Sequence, residues 1–186
     1  MMIETARLVL RDWREEDLDP FVRHTNTPAV MRWLGGVQDP EALKARWRER
    51  VMAWQESRGF TYWALERRAD GELLGFCGLK LADAPGGEAI AGLHEIGWRL
   101  REDAWGQGYA KEAAIATLDF AFDRLAAPTV VALTVPGNAA SWGLMERLGL
   151  RRRHDLDYWD TRFGEELNPT LVYDMEAEPW RRRRRP

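Results

Sequence analysis

The chain predicts an α+β protein built on one mostly antiparallel sheet, and three features carry that expectation. Apolar residues alternate with period two in some stretches and recur at helical spacing in others. Their order along the 186 residues is strand, helices, three strands, helix, strand, helix, strand, strand. An Asp70-Gly71 pair stands between two apolar runs, the pattern of a tight hairpin. No internal repeat runs through the chain, and the mixed order sets aside a pure βαβ repeat.

Taken in order, Thr5 to Arg11 alternates Ala6, Leu8 and Leu10 with Arg7, Val9 and Arg11, and reads as a first strand. Asp12 is a plausible N-cap for the next segment, where Glu15, Glu16 and Asp17 precede Leu18, Phe21 and Val22. A short helical stretch carries Met31, Trp33 and Leu34 to the Gly35-Gly36 break. Pro40 then opens a longer helix with Leu43, Trp47, Val51 and Trp54 at helical spacing, ending near Gly59. Phe60–Glu66 and Leu73–Leu81 are the hairpin strands. A loop with Pro85-Gly86-Gly87 leads to a fourth strand, His94–Leu100, with Glu95, Gly97 and Arg99 on one face. Ala110, Ala113, Ala114, Thr117, Leu118 and Ala121 trace the apolar face of the central helix. Thr129–Val135 is a buried fifth strand, Leu144, Met145 and Leu148 a short helix stopped by Gly149, and Arg151–Trp159 and Thr170–Met175 two closing strands.

Composition bounds the function. A chain of this length forms one domain, expected over residues 1–178, burying about 70% of its unfolded surface. The net charge of −3 hides an asymmetry. With Arg181–Arg185 set aside, 22 basic against 30 acidic residues leave the body at −8, which argues against nucleic acid as the main partner. Residues 179–186 are expected to be a solvated, disordered tail. The single cysteine, Cys77, excludes an internal disulfide and any Cys-rich metal site. The three histidines lack ligand spacing, so no metal is expected. With no run of 18 apolar residues and no signal-peptide pattern, no membrane is expected as a partner; the default is a cytoplasmic monomer or homodimer.

Asp103-Ala-Trp-Gly-Gln-Gly-Tyr-Ala110 joins the fourth strand to the central helix. A strand, a glycine turn and a helix N-terminus form an anion site, because first-turn N–H groups lack partners and the helix dipole adds positive charge there. The Gly-x4-Gly-Lys-Ser/Thr loop of nucleotide hydrolases is absent. The dinucleotide fingerprint lacks its third glycine, with Lys111 in that place.

Two further strings point the same way. Val135-Pro-Gly-Asn-Ala-Ala-Ser-Trp-Gly-Leu-Met-Glu-Arg-Leu-Gly-Leu150 follows a strand and opens a short helix, and the chain begins with Thr5-Ala-Arg-Leu-x-Leu-Arg11. Together with Gly106-Gln107-Gly108, these resemble the GNAT N-acetyltransferases. Trp105-Gly-Gln-Gly-Tyr-Ala-x-Glu-Ala113 and the opening string are similar to the ribosomal-protein N-acetyltransferase-like (RimJ/RimL-type) branch. Asp103 stands where the wider family has Gln or Arg, a departure common in that branch.

The resemblance covers about Thr5 to Met175. It implies a sheet splayed between the fourth and fifth strands, with acetyl-CoA as co-substrate. It places strand-end amides at Leu100 and Arg101 toward the pantetheine, Gly106, Gln107, Gly108, Tyr109 and Ala110 around the pyrophosphate, and Asn138 on the pantetheine arm. Ser141 would assist the departing thiolate. Glu95 would take a proton from the attacking amine, and desolvation would raise its pKa toward neutrality. Trp33, Leu34, Tyr158 and Trp159 would meet the acceptor, a small-molecule amine or a protein N-terminus. Two other readings compete with this one. A nucleophile elbow at Ala139-Ala-Ser-Trp-Gly143 fails, since Glu146 is the sole acid between Ser141 and His154 and shares the serine's short helix. A non-catalytic acyl-CoA-binding module is the alternative, to be separated by turnover.

Overall fold

A computed structural model describes residues 2–184 of the chain. Among the described residues, eight strands of mixed direction, flanked by helices, form the sheet. The residues fall into two compact units. One holds the described residues up to Lys80 with Gly97–Thr117; the other holds Leu81–Ile96 and the described residues from Leu118 onward.

In the first unit, β1 (Met2–Glu4), β2 (Leu8–Arg11), β3 (Tyr62–Arg67) and β4 (Leu73–Leu81) pair antiparallel in sequence order. The expected first strand is therefore only β2; residues 5–7 bend ahead of it, and β1, before them, is a strand the periodicity did not show. Thr5 sets the bend: its hydroxyl accepts from Leu8 N–H at 3.0 Å, and its own N–H donates to Leu8 O at 2.9 Å. Helices α1 (Leu18–Thr25), α2 (Pro28–Met31), α3 (Pro40–Trp47) and α4 (Ala53–Arg58) follow β2. Thr27 and Asp39 cap α2 and α3, accepting from Val30 N–H and Ala42 N–H. The expected single long helix is interrupted at Arg48–Met52, where the chain widens into a π-helical turn. Trp13, Phe21, Trp47, Val51 and Phe76 pack together as the core of this unit. The Trp13 and Phe21 ring centroids lie 5.0 Å apart, edge to face, and those of Phe21 and Trp47 lie 4.5 Å apart.

β5 (His94–Leu100) and the central helix α5 (Tyr109–Asp123) belong in part to each unit. In the second unit, β5 pairs in parallel with β6 (Thr129–Thr134), over His94–Ile96 against Val130–Ala132. β6 pairs antiparallel with β8 (Leu171–Glu176), and β8 with the two-residue β7 (Arg151–Arg152). The strand expected over Arg151–Trp159 is thus mostly absent. Arg152 grips Asp157, and Arg153 pairs with Asp155 at 2.6 Å, folding the chain into a 3-10 turn over His154–Leu156. Pairing resumes only as a bridge between Tyr158 and Thr170.

α6 (Ala139–Leu148) ends at Gly149, whose φ of 83° is the left-handed C-terminal turn. The arginine run expected as a disordered tail is instead helical as far as Arg184, in α7 (Ala177–Arg184). Trp180 supplies the reason. It is buried, and its indole N–H donates to Asp119 at 2.8 Å, while Arg184 pairs with the same carboxylate at 2.8 Å. Arg185 and Pro186 lie outside the described residues. No helix among the described residues is long and apolar enough to cross a membrane.

Candidate active site

The glycine loop lies in the first unit, between β5 and the N-terminus of α5. Gly106 and Gly108 take φ of 70° and 81°, the left-handed region that disfavours a side chain. An added Cβ on Gly106 would meet no atom within 4 Å, and one on Gly108 would meet only Arg7 Nη2, at 3.4 Å. The loop thus presents open space where its backbone turns, ahead of the first-turn N–H groups of α5. Those groups begin at Tyr109 and Ala110, and Gln107 ties the loop back with Nε2 donating to Asp103 O at 2.6 Å.

The opening segment of the chain holds this loop, a coupling that the sequence reading missed. Arg7 Nη1 donates to Gln107 O at 2.9 Å, and Arg7 Nε donates to Glu112 at 2.7 Å. Thr5 Oγ1 and the Arg7 backbone N–H both donate to the other Glu112 oxygen, at 2.6 and 2.8 Å. The Arg7 guanidinium also lies 4.6 Å over the Tyr109 ring. Burial works to raise the Glu112 carboxyl, but the hydrogen bonds from Thr5 and Arg7 outweigh it and hold the group below its ordinary value. A depressed carboxyl stabilises the fold above its unfolded pKa and loses that contribution as pH falls through the folded value. Glu112→Gln is therefore expected to lower stability by about 1–3 kcal/mol at pH 7. Denaturant melts should show the difference shrinking below about pH 4; a constant difference across that range refutes the assignment.

Asp103, the residue that departs from the wider pattern, pairs with Arg101 at 2.6 Å, and Arg101 also reaches Glu72 at 3.0 Å. The Arg101 backbone corrects one expectation. Its N–H donates to Leu74 O at 2.8 Å, so it is not a donor for a pantetheine arm. Successive N–H groups along an extended strand leave by opposite edges, which leaves Leu100 as the strand-end donor directed away from β4. The Leu100 carbonyl is held by the Trp105 indole N–H at 2.8 Å.

The second unit carries the other expected residues. Glu95 is buried at 8% exposure and stands opposite Val131 in the register. Asn138 caps α6, with Oδ1 accepting from Ser141 N–H at 3.3 Å. Ser141 is half-buried in the first turn of α6, and its hydroxyl takes no partner among the described residues. Thr134, at the end of β6, has a buried hydroxyl also without a partner among them.

Of the expected acceptor residues, Tyr158 and Trp159 lie together in the second unit, while Trp33 and Leu34 lie in the first. Tyr158 is buried and Trp159 is half exposed. Burial, and then the negative charge of Glu95, push the Tyr158 phenol up to about 12, so it stays a neutral hydrogen-bonding group at any working pH. A segment read only as a loop packs against this pair. The carbonyl of Trp159 sits 2.2 Å from where a Cβ on Gly86 would be, so only glycine permits the approach. Trp33 packs its ring against the Arg32 guanidinium at 4.6 Å, and Leu34 is exposed.

Against known proteins, residues 7–151 match the family model described as an acetyltransferase (GNAT) domain. The uncharacterized protein YkkB of Bacillus subtilis (strain 168) is 30% identical over 176 residues, spanning 93% of this chain and 94% of its own. The uncharacterized N-acetyltransferase YoaA of the same organism is 26% identical over 179 residues, spanning 94% and 96%. The crystal structure of a GNAT-family acetyltransferase from Bacillus anthracis has the same fold. Its TM-score is 0.79 at 23% identity, over 96% of this chain and 99% of that one.

Proposed function

The chain belongs to the GNAT acetyltransferase family, and from that premise we propose that it acetylates a primary amine by direct attack on acetyl-CoA in a ternary complex. The acceptor is a protein N-terminus or a small-molecule amine. Within the family we place it in the ribosomal-protein N-acetyltransferase-like branch, on the strings Thr5–Arg11 and Trp105–Ala113. The observation that carries the reading is the loop at Gly106 and Gly108, with left-handed backbone and open space where it turns into α5, whose first-turn N–H groups have no intrahelical partner. That space suits a pyrophosphate, which supplies acceptors for those donors. The Leu100 amide offers a further hydrogen bond.

Bound acetyl-CoA supplies an activated thioester; the residues of this chain orient it and move protons. Glu95 takes the proton that the incoming ammonium must lose before its nitrogen can attack, directly or through a water. The unengaged Ser141 hydroxyl donates to the departing sulfur. Asn138 sets the first turn of α6, and so the position of Ser141.

Release of free thiol from acetyl-CoA over a panel of amines tests the proposal. Thiol release that depends on the amine is expected. Tight CoA binding without release for any amine would mark a non-catalytic binding module instead. Within the proposal, Ser141→Ala is expected to lower kcat by about 10- to 100-fold, or about 1.4–2.8 kcal/mol, while leaving CoA affinity nearly intact. Calorimetric titration with CoA beside steady-state kinetics separates the roles; equal losses in both would make Ser141 a pantetheine-positioning residue.

A further inference from the structure

Arg99 is placed as no structural arginine needs to be. It follows Trp98 on β5 and precedes Leu100, and it is half-buried as a whole. Its Nε and Nη1 atoms are sealed from solvent and donate to nothing among the described residues. Around the guanidinium stand three rings of the first unit, with Phe76, Phe21 and Trp47 centroids at 5.5, 5.8 and 6.0 Å from its central carbon. Trp47 adds a third donor without a partner among the described residues, its buried indole N–H. Burial pulls the Arg99 pKa down to about 10; Tyr62 acts against that pull and the cation Arg46 adds to it. Among the described residues no carboxylate compensates the charge.

Three buried donors without partners among the described residues, a positive charge and an aromatic wall define an uncompensated anion site. Rings attract a cation and offset part of its desolvation, but they accept no N–H hydrogen bond of ordinary strength. A buried charge with unmade hydrogen bonds destabilises the fold. A hydrophobic residue of the same shape would fill the place more cheaply. A planar carboxylate answers all three features, since it pairs side-on with a guanidinium and has lone pairs left for an indole N–H. The wall of Phe21, Trp47 and Phe76 suits an apolar stem behind that carboxylate. Trp47 also leads directly into the π-helical turn Arg48–Met52, a form of helix that often accompanies functional sites.

We propose that Arg99 and Trp47 bind the carboxylate of the amine acceptor, so that the preferred acceptor is an amino acid-like molecule with an apolar stem. The identity of the molecule as acceptor rests on the acetyl-transfer reading; the carboxylate site does not. The position of Arg99 next to Leu100, the strand-end donor assigned to acetyl-CoA, is what connects the two.

The test uses 4-aminobutyrate and its longer homologues, each beside its neutral amide, on the full-length chain. In the 15N-labelled protein, the acids should shift the Arg99 Nε–H and Trp47 Nε1–H resonances along one saturable curve, and the amides should not. In turnover, wild type should favour acid over amide by at least 10-fold in kcat/KM. Arg99→Met, which keeps the bulk against the rings, should lose that preference with unchanged CoA affinity and an unchanged or higher Tm. Trp47→Phe should weaken it several-fold. If no amine is acetylated while the acids shift both resonances, acetyl transfer fails and the carboxylate site is supported. Equal acetylation of acids and amides with unmoved resonances overturns the carboxylate site and leaves acetyl transfer standing. A selectivity for the acids that survives in Arg99→Met also overturns it.

Discussion

Gly108→Val is expected to reduce acetyl-CoA affinity by at least 100-fold in a protein that still folds. Micromolar binding corresponds to about −8 kcal/mol, so the predicted loss is about 2.7 kcal/mol or more. Two effects of the substitution can be told apart by size. At φ of 81° a β-branched residue is strained, which lowers stability by about 1–2 kcal/mol. The added Cβ meets nothing closer than Arg7 Nη2 at 3.4 Å, so the fold itself is not sterically blocked. If the loop were only a turn, that strain would appear in the melt and nowhere else. If the loop holds a pyrophosphate, the valine also occupies the space the phosphate needs and displaces the α5 N–H groups from it. Calorimetric titration with CoA, paired with a denaturant melt, reads both. A destabilised variant with wild-type CoA affinity would remove Gly106–Ala110 from the binding site.

Local periodicity and turn chemistry made much of this chain legible. The Asp70-Gly71 turn sits between β3 and β4, Gly149 ends α6 in the left-handed region, and Gly106 and Gly108 both have positive φ between β5 and α5. These features are decided by neighbours within a few residues. What the sequence withheld depends on distant partners. Glu112 reads as one more acid in the first turn of a helix; only the fold brings it to Thr5 and Arg7, more than a hundred positions away. Arg101 reads as a strand-end donor until its N–H is seen bonded to Leu74 O. The arginine run reads as a solvated tail because its charge dominates, yet one buried tryptophan, Trp180, anchors it as helix α7. Arg99 shows the same limit at the level of function. Alternation assigned its face of the strand, but not the three rings from β4, α1 and α3 that surround it.

Glu95→Gln is expected to lower kcat/KM by about 100-fold or more at pH 6, within the range attributed to a lost general base, and by much less near pH 10. The sign follows from the acceptor. An alkyl amine with a pKa of about 10 is almost wholly ammonium at pH 6, so productive attack requires a group that removes its proton. Once the pH exceeds the amine's own pKa, solvent has done that work and the loss of the carboxylate matters little. The groups around Glu95 do not mimic this behaviour. Tyr158, held up to about 12, stays protonated throughout the window. His94, which burial pushes below its ordinary value, is already neutral through most of it. Glutamine keeps the size of the side chain and one carbonyl acceptor, so CoA affinity should not change. The measurement is a pH–rate profile of wild type and variant between pH 6 and 10, with a single amine at fixed saturating acetyl-CoA. Profiles that converge at the alkaline end assign the proton to Glu95. Profiles that stay parallel, however low the variant lies, would show that the proton leaves by another route and that Glu95 serves only to shape the strand beside Val131 and Tyr158.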